Sequence, residues 1–302
     1  FDTEVDEDGN KDGKLSEAEI KKVTTINVSN KGITSLKGVE YFTALKTLNC
    51  YSNQLTTLDL SNNVNLTSLN CNTNQLSALD VSTNTALKTL YCYSNQITSL
   101  DLSGCTKLET LHCYSNQLTS LNVAGLTKLA KIRCQSNNLT ELVINSTVVT
   151  ELYCQENQLS SLDVSQMTLL QDLRCYDNPE IQTLTVNSAS LKTLLCYCNN
   201  NNPGNLQELK INNASALKEI RCYNQKINDL DLSSCSTITT VNAYNNELES
   251  LDVSGNTTLT YLGVSGNKLT ELDVSNNVNL GTLNCSENSI SELDVSKNTK
   301  LI

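Results

Sequence analysis

Tryptophan is absent from the sequence, and histidine occurs once, at His112, in 302 residues. Phenylalanine and proline appear only twice each. That is a thin supply of catalytic imidazole and of aromatic core. No metal-binding His-Glu-x-x-His run exists, no Ser sits in a nucleophile elbow, and His112 belongs to no motif, so hydrolytic and metal-assisted catalysis lack their usual carriers. No apolar stretch approaches the roughly 18 residues that span a bilayer. Lysine and arginine never cluster in a chain of net charge −11. Phosphate neutralisation needs such clusters, so nucleic acid is excluded as a partner.

What is present is unevenly placed. Residues 1–20 hold eight acids and two lysines, so more than half of the net charge lies in the first fifteenth of the chain. Asparagine is abundant at 41 residues, a proportion that suits a side-chain ladder better than an ordinary globular core. The 13 cysteines cannot all pair within the chain. Cys50, Cys71, Cys92, Cys113 and Cys134 recur every 21 residues, and Cys154, Cys175, Cys196, Cys222 and Cys285 continue in phase. Disulfide frameworks and zinc sites use uneven spacings, so an even beat reads as small apolar core residues. Side chains stacked on parallel strands also point the wrong way for a disulfide torsion. Cys198 stands outside the beat, and Cys105 and Cys235 form a second one; these three are the thiols expected to react first.

The beat belongs to a repeat. Leu45, Leu48, Cys50, Asn53 and Leu55 match the pattern L-x-x-L-x-[L/C]-x-x-N-x-L, and further units open at Leu66, Leu87, Leu108, Leu129, Val149, Leu170, Leu191, Leu217, Ile238, Leu259 and Leu280. An atypical unit precedes them at Val23, with Lys31 where Asn stands elsewhere, giving 13. Asn199 to Asn205 interrupt the eighth matching unit as an expected loop. On these motifs residues 23–302 resemble a leucine-rich-repeat protein, and more narrowly the internalin-like surface proteins of bacteria. The resemblance implies an α/β fold by family convention, strand-rich with little helix. It implies a right-handed solenoid or horseshoe of 21-residue repeats with a parallel β-sheet on its concave face. It further implies a non-catalytic binding role at the cell surface or after secretion, from a precursor longer than the present chain. The chain is expected to be a monomer.

The physical chemistry runs alongside. Strand alternation turns the fourth and sixth residues of each unit inward. A single unit cannot bury that stripe, but stacked units form one continuous core. Asn at the ninth position, from Asn53 to Asn288 with Gln225 as one replacement, is expected to satisfy turn backbone groups between neighbours. The second half of a unit reads Leu-Asp-Val-Ser, as at Leu58 to Ser61, and predicts extended chain or turns. Its eight stacked aspartates (Asp59, Asp80, Asp101, Asp163, Asp231, Asp252, Asp273, Asp294) could hold a calcium ladder, but local bonding to the backbone explains them without metal.

Two sites are predicted. Residues 8–19 fit the calcium-loop pattern D-x-[DN]-x-[DN]-G-x5-E, with Asp8, Asn10, Asp12, the Lys14 carbonyl, Ser16 and Glu19 as oxygen ligands of one structural Ca²⁺. The spacing resembles one calcium-loop half of a dockerin-type module. Residues 1–22 would then cap the solenoid, with a short helix from about Ser16 to Lys22. The other site is the concave face. Its fifth column carries Tyr91, His112, Arg133, Tyr153, Arg174 and Arg221, and its seventh carries Tyr93, Tyr114, Tyr176 and Tyr197. Tyr and Arg are enriched at binding hot spots, so the partner is a protein ligand, or alternatively a surface glycan. The arginines predict a locally positive face.

Overall fold

The structure is a computed structural model that describes residues 15–302. The described residues divide into two compact units, one ending at Asn137 and the other Asn138–Ile302. Asp8, Asn10, Asp12 and Lys14 lie outside the described residues.

Each turn of the repeat contributes a three-residue strand whose middle residue points inward. In the first unit these strands are β1 (Thr25–Asn27), β2 (Thr47–Asn49), β3 (Ser68–Asn70), β4 (Thr89–Tyr91), β5 (Thr110–His112) and, after a short β6 (Ser120–Asn122), β7 (Lys131–Arg133). β1 to β5 and β7 pair in parallel in sequence order, with Leu48, Leu69, Leu90, Leu111 and Ile132 in register. The second unit repeats the plan. After β8 (Glu141–Val143) come β9 (Glu151–Tyr153), β10 (Asp172–Arg174), β12 (Thr193–Leu195), β14 (Glu219–Arg221), β15 (Thr240–Asn242), β16 (Tyr261–Gly263) and β17 (Thr282–Asn284), all parallel neighbours. Between them, β11 (Thr183–Asn187) and β13 (Glu208–Asn212) pair as a separate two-stranded ribbon, carried by the second half of the repeat.

Helix is almost absent among the described residues. α1 (Glu17–Ile20) lies within the predicted span, and Ser16 and Glu19 cap it reciprocally: Glu19 Oε2 accepts from the Ser16 amide at 2.7 Å, and Ser16 Oγ accepts from the Glu19 amide at 3.3 Å. One 3-10 turn (Val39–Tyr41) stands where the first repeat departs from Leu-Asp-Val-Ser.

The strand tail ends the same way in nearly every turn, the Leu191 turn with its insertion excepted. Ser52, Thr73, Ser94, Ser115 and Ser136 all have φ near +53°, and Glu156, Asp177, Asn224, Asn245 and Glu287 follow suit. This left-handed residue turns the chain into the Asn ladder. Asn116 shows the ladder's bonding: its Oδ1 accepts from the Ile97 amide at 3.0 Å, and its Nδ2 donates to the carbonyls of Cys92 and Cys113 at 3.0 Å. The same triangle recurs at Asn74, Asn95, Asn137, Asn178, Asn246, Asn267 and Asn288. Gln225 takes the place as expected, accepting from Leu206 and donating to the Cys196 carbonyl. A Cβ on Gly204 would lie 2.0 Å from Gln225 Oε1, so the inserted loop needs glycine there to admit the longer side chain.

A second ladder lies at the nineteenth position. Asn63, Asn84, Asn256, Asn277 and Asn298 are buried, and each donates two bonds to carbonyls of the preceding turn. Cys105 and Cys235 occupy this column, fully buried. Together with buried Cys198 they are therefore not the accessible thiols. Cys285, only partly covered, is the least buried of the thirteen free cysteines. Burial pushes Cys50, Cys134, Cys175 and Cys222 up to about 12.

Candidate ligand-binding face

The predicted face is built by the third, fifth and seventh residues of each turn, which alternate outward from the Leu and Cys core. In the first unit, the register sets Tyr91 beside His112 and His112 beside Arg133. The Tyr91 and His112 rings stack with centroids 4.6 Å apart, and Tyr93 stacks on Tyr114 at 4.3 Å with planes 8° apart. Lys131 and Arg133 add positive charge on β7.

The second unit holds a longer array. Tyr176, Tyr197, Tyr223 and Tyr244 form one stack, with spacings of 4.6, 4.4 and 4.3 Å and planes within 16°. Strands in a sheet lie about 4.8 Å apart, so the backbone itself imposes the ring spacing. Because the rings face one another, the inner members present edges and hydroxyls to solvent and keep their faces covered. Burial first, and neighbouring tyrosines second, raise the hydroxyl pKa of Tyr197 and Tyr223.

Beside this stack, the arginines are held by carboxylates. Arg174 donates to Asp172 through Nε at 3.2 Å and Nη2 at 3.0 Å, and its guanidinium lies 4.3 Å over the Tyr153 ring. The Tyr153 hydroxyl donates to Asp172 Oδ2 at 2.7 Å. Burial pushes the Tyr153 hydroxyl up to about 12, aided by Asp172. Arg221 donates through Nε to Glu219 Oε1 at 2.7 Å, and that bond raises its pKa. The expectation of a positive face therefore fails in this unit: Glu151, Asp172 and Glu219 of the third column stand among the arginines. The Tyr and Arg pattern marks only the fifth and seventh columns, but alternation puts the third on the same side of the strand. Tyr223 and Tyr244 also join the face, as direct continuations of the Tyr176 and Tyr197 column. Tyr91, Tyr93, His112, Tyr114 and Arg133 gather in the first unit, and Tyr153, Arg174, Tyr176, Tyr197 and Arg221 in the second.

The predicted calcium loop is represented here only by Ser16 and Glu19, which are engaged with each other in the helix cap, Ser16 Oγ donating to Glu19 Oε2 at 2.8 Å. Among the described residues no group of three His, Cys, Asp or Glu side chains is placed to hold a metal. The aspartate column instead bonds locally. The Oδ1 atoms of all eight accept from the backbone amide of the serine two residues on, at 2.8–3.0 Å. No helix among the described residues is long and apolar enough to cross a membrane.

Known proteins share this build. The family model described as Leucine Rich repeats (2 copies) matches residues 85–128. No curated protein matches the chain. Among solved structures, the functional domain of InlJ from Listeria monocytogenes, which includes a cysteine ladder, is 33% identical over 95% of this chain and 68% of its own, with a TM-score of 0.71. YopM from Yersinia enterocolitica is 20% identical over 90% of this chain and 66% of its own, with a TM-score of 0.69. The plant peptide hormone receptor RGFR1 in complex with RGF2 is 20% identical over 82% of this chain and 45% of its own, with a TM-score of 0.65. The latter two show the fold alone. The evenly spaced thiols, the Asn ladder and the InlJ match lead to one conclusion: the chain belongs to the leucine-rich-repeat proteins, among the bacterial internalins, as a non-catalytic repeat scaffold.

Proposed function

We propose that the protein is a surface-displayed or secreted binding scaffold that recognises a protein ligand through its strand face. The observation that carries this reading is the pre-stacked tyrosine column with arginines fixed by Asp172 and Glu219. Rigid Tyr and Arg side chains bind with little further loss of rotamer freedom. The same geometry argues against the glycan alternative along the stack, because a sugar needs an open ring face and the inner rings have none. RGFR1, a receptor of the same fold, is solved with RGF2 bound.

The test is direct. Purified candidate surface proteins and a glycan array are probed with the protein and with Arg174→Ala combined with Tyr197→Ala. The reading expects protein binding that weakens at least tenfold in the double variant. Protein binding indifferent to that variant, or binding to glycans alone, overturns it.

The amino-terminal loop adds a structural part to the proposal. Six oxygen donors at Asp8, Asn10, Asp12, Lys14, Ser16 and Glu19 suit one hard cation by their spacing. Glu19 would then serve both the ion and the helix cap. Calorimetric titration with calcium should give a single site that Glu19→Gln removes, and no heat with the unaltered protein rejects it.

A further inference from the structure

The tyrosine stack of the second unit is closed at one end and open at the other. At the Tyr176 end, the next residue of the column is Gln155, which is buried and carries no ring. At the Tyr244 end the column continues as Ser265, and among the described residues no further ring stacks on Tyr244. The register there is firm. Asn242 pairs with Gly263, and the amides of Ala243 and Asn245 donate to the carbonyls of Gly263 and Ser265, both at 2.8 Å. A fifth ring of the same stack would therefore lie over Ser265, where only a hydroxymethyl stands.

The surroundings are shaped around this gap. Gly263 is buried because the Tyr261 ring covers it: a Cβ on Gly263 would lie 3.1 Å from both Tyr261 Cε1 and its hydroxyl. That Cβ would also lie 2.9 Å from Asn242 Oδ1, which is buried and accepts no hydrogen bond. Buried acceptors normally have a partner, and leaving one unmade is unfavourable. The gap thus has a ring face on one side (Tyr244), a tyrosine on the other (Tyr261), a small floor (Gly263 and Ser265) and an unused acceptor (Asn242 Oδ1).

We propose that this notch is an anchor site for an aromatic side chain of the protein ligand, a Trp or Tyr that completes the stack as its fifth ring. The proposal rests on the strand-face reading above and names the chemistry recognised at its open end. A stacked ring at this spacing gains offset-stacking energy with Tyr244. An indole N–H or phenol O–H, unlike a phenyl ring, brings the donor that Asn242 Oδ1 lacks, with Tyr261 swinging aside to admit it.

The experiment uses the whole chain and N-acetyl-tryptophanamide as probe, followed by NMR of the Gly263, Ser265 and Gly266 amides. N-acetyl-leucinamide and methyl β-glucoside serve as the other arms. The expected result is saturable ring-current shifts at these three amides with the aromatic probe only. Affinity should fall at least tenfold in Tyr244→Ser and in Ser265→Tyr, whose own ring fills the gap, while Tyr41→Ser, at an exposed tyrosine of the 3-10 turn away from the strand face, leaves it within twofold. Absence of aromatic shifts, equal binding in Ser265→Tyr, or stronger shifts with the glucoside overturns the proposal. Should the notch fail while Arg174→Ala with Tyr197→Ala still abolishes protein binding, the strand-face reading stands without it.

Discussion

At the scale of the residue, the asparagines carry most of the specificity of the fold. Asn116 satisfies a buried amide and two carbonyls at once. Asn116→Ala should therefore destabilise the protein by about 3 kcal/mol, given roughly 1–3 kcal/mol for each buried group left unpaired. Chemical denaturation measures it, and a change below about 1 kcal/mol would show that water replaces the side chain. The first ladder was legible in the sequence because most of its Asn follow a Cys by three residues, Asn246 and Asn267 following Ala243 and Val264 instead. The second was not, since Cys105, Leu126, Met167 and Ala214 interrupt it and the Asn at Asn63 or Asn277 reads as ordinary turn polarity. The cysteines make a companion prediction. A thiol reagent near pH 8 should modify Cys285 first in the native protein and reach the other twelve only on unfolding, because burial excludes the reagent and disfavours the thiolate. Early labelling of Cys105, Cys198 or Cys235, read by peptide mass spectrometry, would contradict the packing described.

At the scale of the element, each turn joins a strand fixed by alternation to a return segment fixed by one aspartate. The Ser61 bonds hold Asp59 below the usual carboxylate range, as the Ser82 and Ser275 bonds do for Asp80 and Asp273. A carboxyl whose folded pKa is depressed stabilises the fold above its unfolded value, near 3.9, and that contribution is lost as pH falls through the folded value. Thermal stability should hold down to about pH 4 and then decline. Replacing Asp80, Asp101 and Asp252 together by Asn, which keeps the acceptor and removes the charge, should flatten that decline; an unchanged acid limb would assign it to other groups. The return segments were legible as extended or turning chain, but not that Thr183–Asn187 and Glu208–Asn212 pair. Their pairing depends on the Asn199–Asn205 insertion being accommodated between them. Gly204 is the test of that accommodation: Gly204→Ala should destabilise by about 1–3 kcal/mol through overpacking against Gln225, and the shorter Gln225→Asn should relieve it in the double variant.

At the scale of the whole molecule, bonding between turns runs almost wholly to the adjacent turn, so stability is a chain of neighbour terms. Leu111→Ala and Leu262→Ala remove equivalent buried side chains in the two units, and each should lower stability by about 2–5 kcal/mol. The consequence for dynamics is local: in Leu262→Ala, amide exchange should accelerate most in β15, β16 and β17 and least in β2 to β4. Uniform acceleration would mean that the repeats unfold as one. Fold class was the most legible property, because a 21-residue beat of Leu, Cys and Asn admits few architectures. The electrostatics of the face were the least legible. They depend on Asp172 and Glu219 lying two residues before an arginine, where alternation returns them to the same side of the strand.

The ladder has a further consequence, in the chemical ageing of the chain. Asparagine deamidates when the following backbone nitrogen attacks its side-chain carbonyl, and a protein with 41 asparagines would seem to invite it. Here no asparagine precedes a glycine, the step that closes fastest. In the ladder the attacking nitrogen is also already committed: the amides of Gln96, Gln117, Lys268 and Ser289 each donate to a carbonyl of the preceding turn. The bonds that stack one repeat on the next thus also protect the residue that stacks them, and a repeat protein built this way should keep its asparagines for as long as it stays folded.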